Sequence, residues 1–373
     1  MALGHLLPHF ANNREVRLFR FTGLFSYNAG HMLLLGIETS CDETAAAVVE
    51  DGRKVLSNVV ASQIDIHKAY GGVVPEVAAR SHIEVILPVI NEALKTAKVT
   101  WDDIDGIAVT AGPGLGGSLL IGTLTARTIA LIRRKPLYAV NHVVAHTFAN
   151  FLIDPEPIFP MLSLSASGKH SDLLLFNSPL NYRVLGVTRD DAAGEAFDKV
   201  ARMLGLEYPG GPKIGKMAPL GDESRYKLPT ANLKDSYDFS FSGLKTAVLR
   251  TLQAEVGGDF RTHSTEIPGR LTDAQKHDMA ASFQRTVCET LTSNLLRAFH
   301  EFKPKTVVIA GGVSANQRLR EEVSRQLPVE MHYAPIQYCT DNGAMVAALG
   351  YHLAKAGRTT SPLELRADPN LAV

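Results

Sequence analysis

The stretch LLLGIETSCDETAAAVVE, residues 33–50, decides the fold of this chain. A short apolar run is followed by a polar turn at residues 38–44 and by a second apolar run, which ends at Asp51-Gly52. Short apolar runs bounded by turn residues are typical of buried strands, and Asp-Gly is a hairpin signal. The stretch therefore predicts two neighbouring strands. Their polar turn could approach a phosphate or a hydrated cation, and an ordinary hairpin loop explains it equally well.

The same order of elements recurs further along the chain. Residues 161–176 again read as strand, polar turn and strand, and a glycine-rich loop leads from a strand into a helix at residues 112–118 and at 311–316. This repetition, which involves no sequence identity, predicts two α/β lobes of related topology with a ligand cleft between them. The predicted domains are lobe I at 32–157, completed by a helix at about 343–355, lobe II at 158–342 with a helical insertion at about 190–300, and a tail at 356–373.

Composition limits the class of protein. The chain has 373 residues, and 38 Lys and Arg balance 38 Asp and Glu. Zero net charge argues against a protein that coats nucleic acid generally, although a local basic patch could contact RNA. The three cysteines form no CxxC pair, which favours a reducing compartment. No apolar run reaches the ~18 residues that span a bilayer, so we predict no membrane association.

Residues 1–31 differ from the rest of the chain. They contain three arginines, one acidic residue and scattered aromatic residues. A mitochondrial transit segment, with a matrix location, is one interpretation. The other, which we favour, is a poorly ordered extension of a cytoplasmic protein whose natural start is Met32.

Two histidines lie four residues apart in the segment NHVVAH, residues 141–146. On a helix this spacing puts His142 and His146 on one face, which suits two ligands of one metal ion. The segment is not the metalloprotease helix, because Val143 replaces the general-base glutamate. Packing of both histidines in the core is the structural alternative.

A third ligand candidate lies almost two hundred residues downstream. Asp341 precedes an apolar helix predicted at residues 344–353. Alone, it would be interpreted as the N-cap of that helix. With His142 and His146 it could complete a two-His-one-carboxylate site with open positions, a pattern that favours iron(II).

Four further polar or glycine positions each have a structural alternative. Asp198, in a segment that opens with the acids at 190–191, could hold ribose hydroxyls, although acids at a helix N-terminus are stabilising anyway. Gly211 lies in a turn that would let a flat ligand approach the backbone. Asn316 could bind a base or cap its helix. Lys245 could meet an anion or remain solvated.

Nine motifs taken in order are similar to one family, and they span about residues 32–351. The chain resembles the TsaD family of bacterial type, the tRNA N6-adenosine threonylcarbamoyltransferases. The matching motifs are GIETSCDET (36–44), GGVVPEVAARSH (71–82), GPGLGGSLLIG (112–122), HVVAH (142–146), DDAAGEAFDK (190–199), YPGGP (208–212), DFSFSGLKTA (238–247), GGVSAN (311–316) and CTDNGAM (339–345).

The resemblance implies an actin/hexokinase-like (ASKHA) α/β fold, with two RNase-H-like lobes around a nucleotide cleft. It also implies transfer of the threonylcarbamoyl group from threonylcarbamoyl-AMP to N6 of adenosine 37, in tRNAs that read codons beginning with adenine. His142, His146 and Asp341 would hold one Fe²⁺ per subunit, with zinc or magnesium as possible substitutes. The expected partners are tRNA, a TsaB-like paralogue and a TsaE-like ATPase. The nucleotide part of the substrate would contact Ser165, Ala166, Ser167, Gly168, Lys169, Asp198, Gly211 and Asn316.

The chain departs from the family in one turn. The usual SGGH reads Ser167-Gly168-Lys169-His170, and Ser165 aligns with a tyrosine ligand of some relatives. No general acid or base is assigned, and Glu38 and Lys245 are candidates for contacts to phosphate or metal-bound water. The alternatives are an ATP-dependent phosphotransferase or ATPase of the same fold, a metallopeptidase, and a non-catalytic scaffold.

Overall fold

A computed structural model describes residues 31–153, 155–231, 233 and 236–373. The predicted N-terminal extension, apart from His31, lies outside the described residues. The described chain contains two five-stranded mixed sheets, each accompanied by helices. This is the two-lobed α/β arrangement that the repeated order of elements predicts, whereas the domain boundaries themselves stay a prediction.

The first sheet contains the hairpin that opens the fold. Its strands are β1 (Leu33–Glu38), β2 (Glu43–Glu50), β3 (Lys54–Ser62), β4 (Gly106–Gly112) and β5 (Leu137–Asn141). They lie in the order β3-β2-β1-β4-β5, with β1 antiparallel to β2 and parallel to β4. The strands β1, β2 and β4 are almost wholly buried, which explains why they read as continuous apolar runs.

The second sheet repeats this arrangement. Its strands are β6 (Met161–Ala166), β7 (Ser171–Ser178), β8 (Asn181–Gly186), β9 (Thr306–Ala310) and β10 (Met331–Tyr333). The order is β10-β9-β6-β7-β8, and β6 is antiparallel to β7 and parallel to β9. The sequence did not predict β8 or β10. Both lie at sheet edges, where β8 is largely exposed and β10 has three residues, so neither has an apolar signal.

Helices cover the faces of both sheets. They are α1 (Ile64–Lys68), α2 (Pro75–Ala97), α3 (Gly116–Arg133), α4 (His142–Phe148), α5 (Ala193–Met203), α6 (Gly210–Met217), α7 (Ser242–Glu255), α8 (Asp273–Phe302), α9 (Gln317–Gln326), α10 (Ile336–Cys339) and α11 (Gly343–Lys355). One core joins α2 and α3 to the outer face of the first sheet, and another joins α5 to α9 to the outer face of the second. None of the described helices is long and apolar enough to cross a membrane.

A third core lies between the sheets and contains α4 and α11. Here α11 crosses β1 in backbone contact. A Cβ added to Gly36 would lie 2.1 Å from the carbonyl oxygen of Gly343, so a side chain at either position would push the helix away. This close approach fixes the start of α11, and therefore the position of Asp341 just before it.

The apolar residues of α2 recur at helical spacing, but only some of them face the sheet. Ile86, Ile90 and Leu94 are buried, but the side chains of Ile83 and Leu87 are 61% and 56% exposed. Apolar residues occur on two sides of this helix, so a helical period alone could not choose the side that faces the sheet.

The acids at 190–191 do not open a helix of their own, because α5 begins at Ala193. Asp190 instead accepts hydrogen bonds from the backbone N–H groups of Phe241 (2.8 Å) and Ser242 (3.2 Å). It thus satisfies the start of α7, an element fifty residues away along the chain.

Candidate metal centre

The two histidines lie at the start of α4, directly after β5. Asn141 caps this helix, because its side chain accepts a hydrogen bond from the Val144 N–H at 3.1 Å. The cap fixes the first turn, so His142 and His146 share one face and their ring centroids are 4.7 Å apart. Both side chains are buried within the core between the sheets.

Asp341 reaches the histidines from the start of α11. Its Oδ1 lies 3.1 Å from Nε2 of His146 and 3.7 Å from Nε2 of His142. The N-cap of α11 is Asn342, whose side chain accepts from the Met345 N–H at 3.0 Å. Asp341 is therefore not the N-cap, and its carboxylate is available to a ligand.

The donor set fits a metal ion. The three candidate ligand atoms lie within 4.8 Å of one another. Apart from the 3.1 Å approach of Asp341 Oδ1 to Nε2, the buried ring nitrogens of His146 have no hydrogen-bond partner among the described residues, so a packing role leaves Nδ1 unsatisfied. Two imidazoles and one carboxylate that converge in this way could hold a divalent cation with open coordination positions. Their role as metal ligands stays a prediction.

Glu38 lies behind His142 and not at the surface of the cleft. It is fully buried, and its carboxylate lies 3.1 Å from Nδ1 of His142, while it accepts hydrogen bonds from the Thr110 hydroxyl (2.6 Å) and the Ser40 N–H (2.5 Å). Buried in this way, it is not positioned for the predicted contact to phosphate. A carboxylate on the outer nitrogen of a histidine ligand fixes the orientation of the ring and raises its basicity.

The charges of this cluster explain its pKa shifts. Burial disfavours the charged forms of His142, Glu38 and Asp341. The carboxylates of Glu38 and Asp341 nevertheless raise the pKa of His142 to about 9. Burial also opposes ionisation of Asp341 and Glu38, but the charge of His142 lowers the pKa of both. The charged form of His142 is thus stabilised by a carboxylate on each side of its ring.

We expect Glu38→Gln to weaken metal affinity by about 10–100-fold, the usual cost of losing such an outer partner. Competition with a chromogenic chelator measures this affinity directly. Glu92→Gln, a change on the exposed side of α2, serves as the control. Equal metal affinities of Glu38→Gln and the wild-type protein would contradict the orienting role of Glu38.

The predicted substrate turn lies between β6 and β7. Ser165, Ala166 and Ser167 are buried, whereas Gly168 and Lys169 are exposed. The Ser165 hydroxyl is buried on β6 and lacks a hydrogen-bond partner among the described residues. A Cβ added to Gly168 would meet nothing within 4 Å, so a ligand has room to approach the backbone.

The N-terminus of α5 is tied to this turn. The Ala193 N–H donates to Ser171 Oγ at 3.0 Å, and the Gly194 N–H donates to the Ser167 carbonyl at 3.1 Å. A helix N-terminus favours an anion beside it. The structure therefore combines an open glycine, an exposed lysine and a helix N-terminus at one turn.

Three other predicted substrate residues have structural roles. Asp198 accepts a hydrogen bond from the Gly210 N–H (2.7 Å) at the start of α6, and burial is the main cause that raises its pKa to about 6. Gly211 is the next residue of that helix. Asn316 caps α9 through the Leu319 N–H (3.2 Å) and donates to Gln284 (2.9 Å). The capping alternative for Asn316 is thus realised.

Lys245 pairs with Asp191, which lies just before α5, and does not contact the histidine cluster. Its ammonium is 2.6 Å from Asp191, which also pairs with Lys199 at 2.7 Å. This ion pair neutralises the charge of Lys245, which therefore makes no contact with the predicted metal ligands.

Residues of the cleft that the sequence left without a role include Asp42, Glu43 and His170. The Tyr208 hydroxyl donates to Asp42 at 3.3 Å. Burial is the main cause that raises the pKa of Glu43 well above its usual value, and the negative charge of Asp42 is the second cause. The His170 ring lies 6.2 Å from that of His142, and burial together with the histidines lowers its pKa to about 3. All three lie within or next to motifs that resemble the family, and this position in the sequence is the signal that could have identified them.

Comparisons with known proteins agree with this architecture. The family model described as "TsaD: tRNA N6-adenosine threonylcarbamoyltransferase" matches residues 54–348. A relative of that name from Symbiobacterium thermophilum is 51% identical over 344 residues, covering 91% of this chain and 97% of its own. One from Thermomicrobium roseum is 49% identical over 355 residues, covering 92% and 95%.

Among solved structures, HypF of T. kodakarensis aligns with a TM-score of 0.57 at 14% identity, over 87% of this chain and 48% of that one. At this identity the likeness concerns the fold alone, which is actin/hexokinase-like. The family match covers most of the chain and the two relatives are aligned over nearly their whole length. The chain therefore belongs to the family of tRNA N6-adenosine threonylcarbamoyltransferases.

Proposed function

We propose that this protein transfers the threonylcarbamoyl group from threonylcarbamoyl-AMP to N6 of adenosine 37 in tRNAs that read codons beginning with adenine. The bond between the carbamoyl carbon and the phosphate oxygen breaks, a bond from that carbon to N6 forms, AMP leaves, and N6 loses a proton. The observation that carries the proposal is the convergence of His142, His146 and Asp341 beside an anion-compatible turn, in a chain of this family.

The donor set leads us to assign one iron(II) per subunit to these three residues, with zinc or magnesium as the alternatives. When bound, such an ion supplies Lewis-acid polarisation of the carbonyl and neutralises phosphate charge. Glu38 holds the imidazole of His142 in place. Metal analysis of the purified protein discriminates among these ions and against a scaffold that binds none.

The remaining cleft residues bind and orient. We assign the nucleotide part of the substrate to the turn formed by residues 165–169, to Gly211, and to the segments that Asp198 and Asn316 hold in place by capping. The adenine amine is a weak nucleophile, so holding it against the carbonyl contributes more than removing its proton. No residue is assigned as general base.

Reconstitution with tRNA, threonylcarbamoyl-AMP and bacterial partner proteins tests this function. We expect N6-threonylcarbamoyladenosine in the digested tRNA, detected by mass spectrometry. Absence of product under conditions in which the Symbiobacterium thermophilum relative works would refute the proposal. ATP turnover on a small substrate that survives His142→Ala would instead support a phosphotransferase of the same fold.

The outer helices of the first sheet carry an apolar surface that fits a protein partner. Ile83 and Leu87 of α2, and Leu120, Leu124 and Leu131 of α3, are between 41% and 61% exposed. The two helices pack against one another on the same face of the sheet. We propose that a TsaB-like paralogue covers this surface and that a TsaE-like ATPase acts with the pair.

Placing two charges on this surface should prevent that association. We expect the double variant Ile83→Glu and Leu87→Glu to weaken binding of the paralogue by at least about a hundredfold, because buried unpaired carboxylates are costly. Calorimetric titration measures the affinity, and unchanged metal content verifies folding. Ile336→Glu, an exposed apolar position outside α2 and α3, is the matched control. Tight binding by the double variant would exclude this surface.

We infer a cytoplasmic location, since tRNA is the substrate of this enzyme family and Cys41, Cys288 and Cys339 are all free thiols. The curated relatives are bacterial. A mitochondrial matrix location would depend on residues 1–31, of which only His31 lies within the described part of the chain.

A further inference from the structure

Lys169 is an unpaired cation at the edge of the candidate metal centre. It lies in the turn between β6 and β7, is exposed, and makes no ion pair within the described residues. The Ser167 N–H donates to the His170 carbonyl at 2.8 Å, which closes the turn around Gly168 and Lys169. The lysine is therefore carried by a defined turn while its side chain is left free.

The turn holds this ammonium close to the predicted metal ligands. The next residue, His170, has its ring 6.2 Å from that of His142. Burial is the largest influence on the pKa of His170 and of Cys41, and in both the positive charge of Lys169 acts toward a lower pKa. Because Lys169 and His170 are consecutive residues of one closed turn, the turn itself keeps the ammonium near the cluster.

The surroundings of Lys169 are otherwise acidic. Burial is the largest cause that raises the pKa of Glu43, and the neighbouring carboxylates of Asp42, Asp341 and Glu38 add to it, so several acidic groups lie close together here. Two lysines of the neighbouring helices do not offset this charge, because Lys199 and Lys245 both pair with Asp191. An anionic substrate at this turn thus needs a cation other than these two.

The turn also offers an open path for an anion. The backbone at Gly168 is unobstructed, and the N-terminus of α5 lies against Ser167. The Ala193 and Gly194 N–H groups already donate to Ser171 and Ser167, so the flexible ammonium of Lys169 is the donor of this turn that can reach a phosphate oxygen beside the open glycine.

We propose that Lys169 binds a phosphate oxygen of the substrates, either in threonylcarbamoyl-AMP or in tRNA beside the modified adenosine, and so sets the affinity of the cleft. This inference rests on the proposed function. Lys169 stands where the family usually has glycine, and glycine at this position could not make the proposed contact.

Steady-state kinetics of Lys169→Gln test the assignment. We expect KM for one of the two substrates to rise about fivefold at low salt, with kcat changed less than about twofold, because a contact made equally in ground and transition states alters KM alone. Raising KCl to 0.3 M should shrink the difference, since salt screens an exposed charge. A rise in KM for threonylcarbamoyl-AMP identifies the adenylate phosphate, and a rise in KM for tRNA identifies the tRNA phosphate.

Three further variants complete the experiment. Lys169→Arg should keep the wild-type KM, Lys169→Gly should behave like Lys169→Gln, and Lys227→Gln, an exposed lysine elsewhere, should change neither constant. Unchanged KM for both substrates in Lys169→Gln would overturn the proposal.

A direct binding measurement separates this inference from the proposed function. If the wild-type protein forms no modified adenosine, that function fails, yet calorimetric affinities for AMP and for tRNA still test Lys169. A loss of about fivefold for either ligand in Lys169→Gln supports the assignment. Equal affinities of both proteins for both ligands overturn it.

Discussion

Replacement of His146 by alanine is expected to abolish metal binding and to lower kcat/KM for tRNA modification by about a thousandfold. A Lewis-acidic ion contributes several kcal/mol to transition-state stabilisation, and each ~1.4 kcal/mol corresponds to a factor of ten. His146 is 1% exposed, and the polar group that approaches its ring is the carboxylate of Asp341, the other predicted ligand, at 3.1 Å from Nε2. Metal content and initial rates of modification measure the effect.

The control for this variant is His300→Ala, which removes an exposed histidine from the end of α8. His146→Gln, closer in volume, keeps the core filled if the alanine variant is unstable. A folded His146→Ala or His146→Gln protein that retains stoichiometric metal and full activity would exclude His146 as a ligand.

Asp172→Asn is expected to increase the free energy of unfolding at neutral and alkaline pH. The change caused by the substitution should be up to about 4 kcal/mol more favourable there than at pH 4. Asp172 lies on β7, is 3% exposed, and its Oδ2 lacks a hydrogen-bond partner among the described residues. Burial raises its pKa from 3.8 to about 7. The native structure therefore disfavours the carboxylate, and asparagine removes that cost.

The sign of the pH dependence follows from proton binding. Between about pH 4 and 7 the folded protein holds a proton at Asp172 that the unfolded chain releases, so this residue's contribution to stability is lost as pH rises through that window. Urea unfolding of both proteins at several pH values measures the difference. Asp65→Asn, at a site whose side chain is 94% exposed, is the control. Parallel stability curves for Asp172→Asn and the wild type would contradict the prediction.

The elements that the sequence predicted correctly are those with a local signal. The hairpin of β1 and β2, the strand–turn–strand of β6 and β7, and the histidine helix each follow from spacing within about twenty residues. The motif order identified the family for the same reason, because each motif is short and contiguous. The fold class can therefore be predicted from the sequence.

What the sequence missed depends on contacts between distant segments. Glu38 lies behind His142 across 104 positions of the chain, and Asp190 satisfies the start of α7. The sequence left Lys245 either solvated or in contact with an anion, and its pairing with Asp191, 54 positions away, is visible only in the structure. The N-cap of α11 is Asn342 and not Asp341, because the contact between β1 and α11 fixes the residue at which the helix begins. Helical periodicity in the sequence does not determine that residue.

The backbone contact between Gly36 and Gly343 has a consequence for biosynthesis. The first strand leaves the ribosome long before α11, so the nascent chain displays both histidines while the aspartate that faces them is still unmade. The predicted three-ligand centre could then form only after α11 has docked on β1. Tight metal retention would accordingly mark completed, full-length molecules, and chains interrupted before residue 341 would emerge without it.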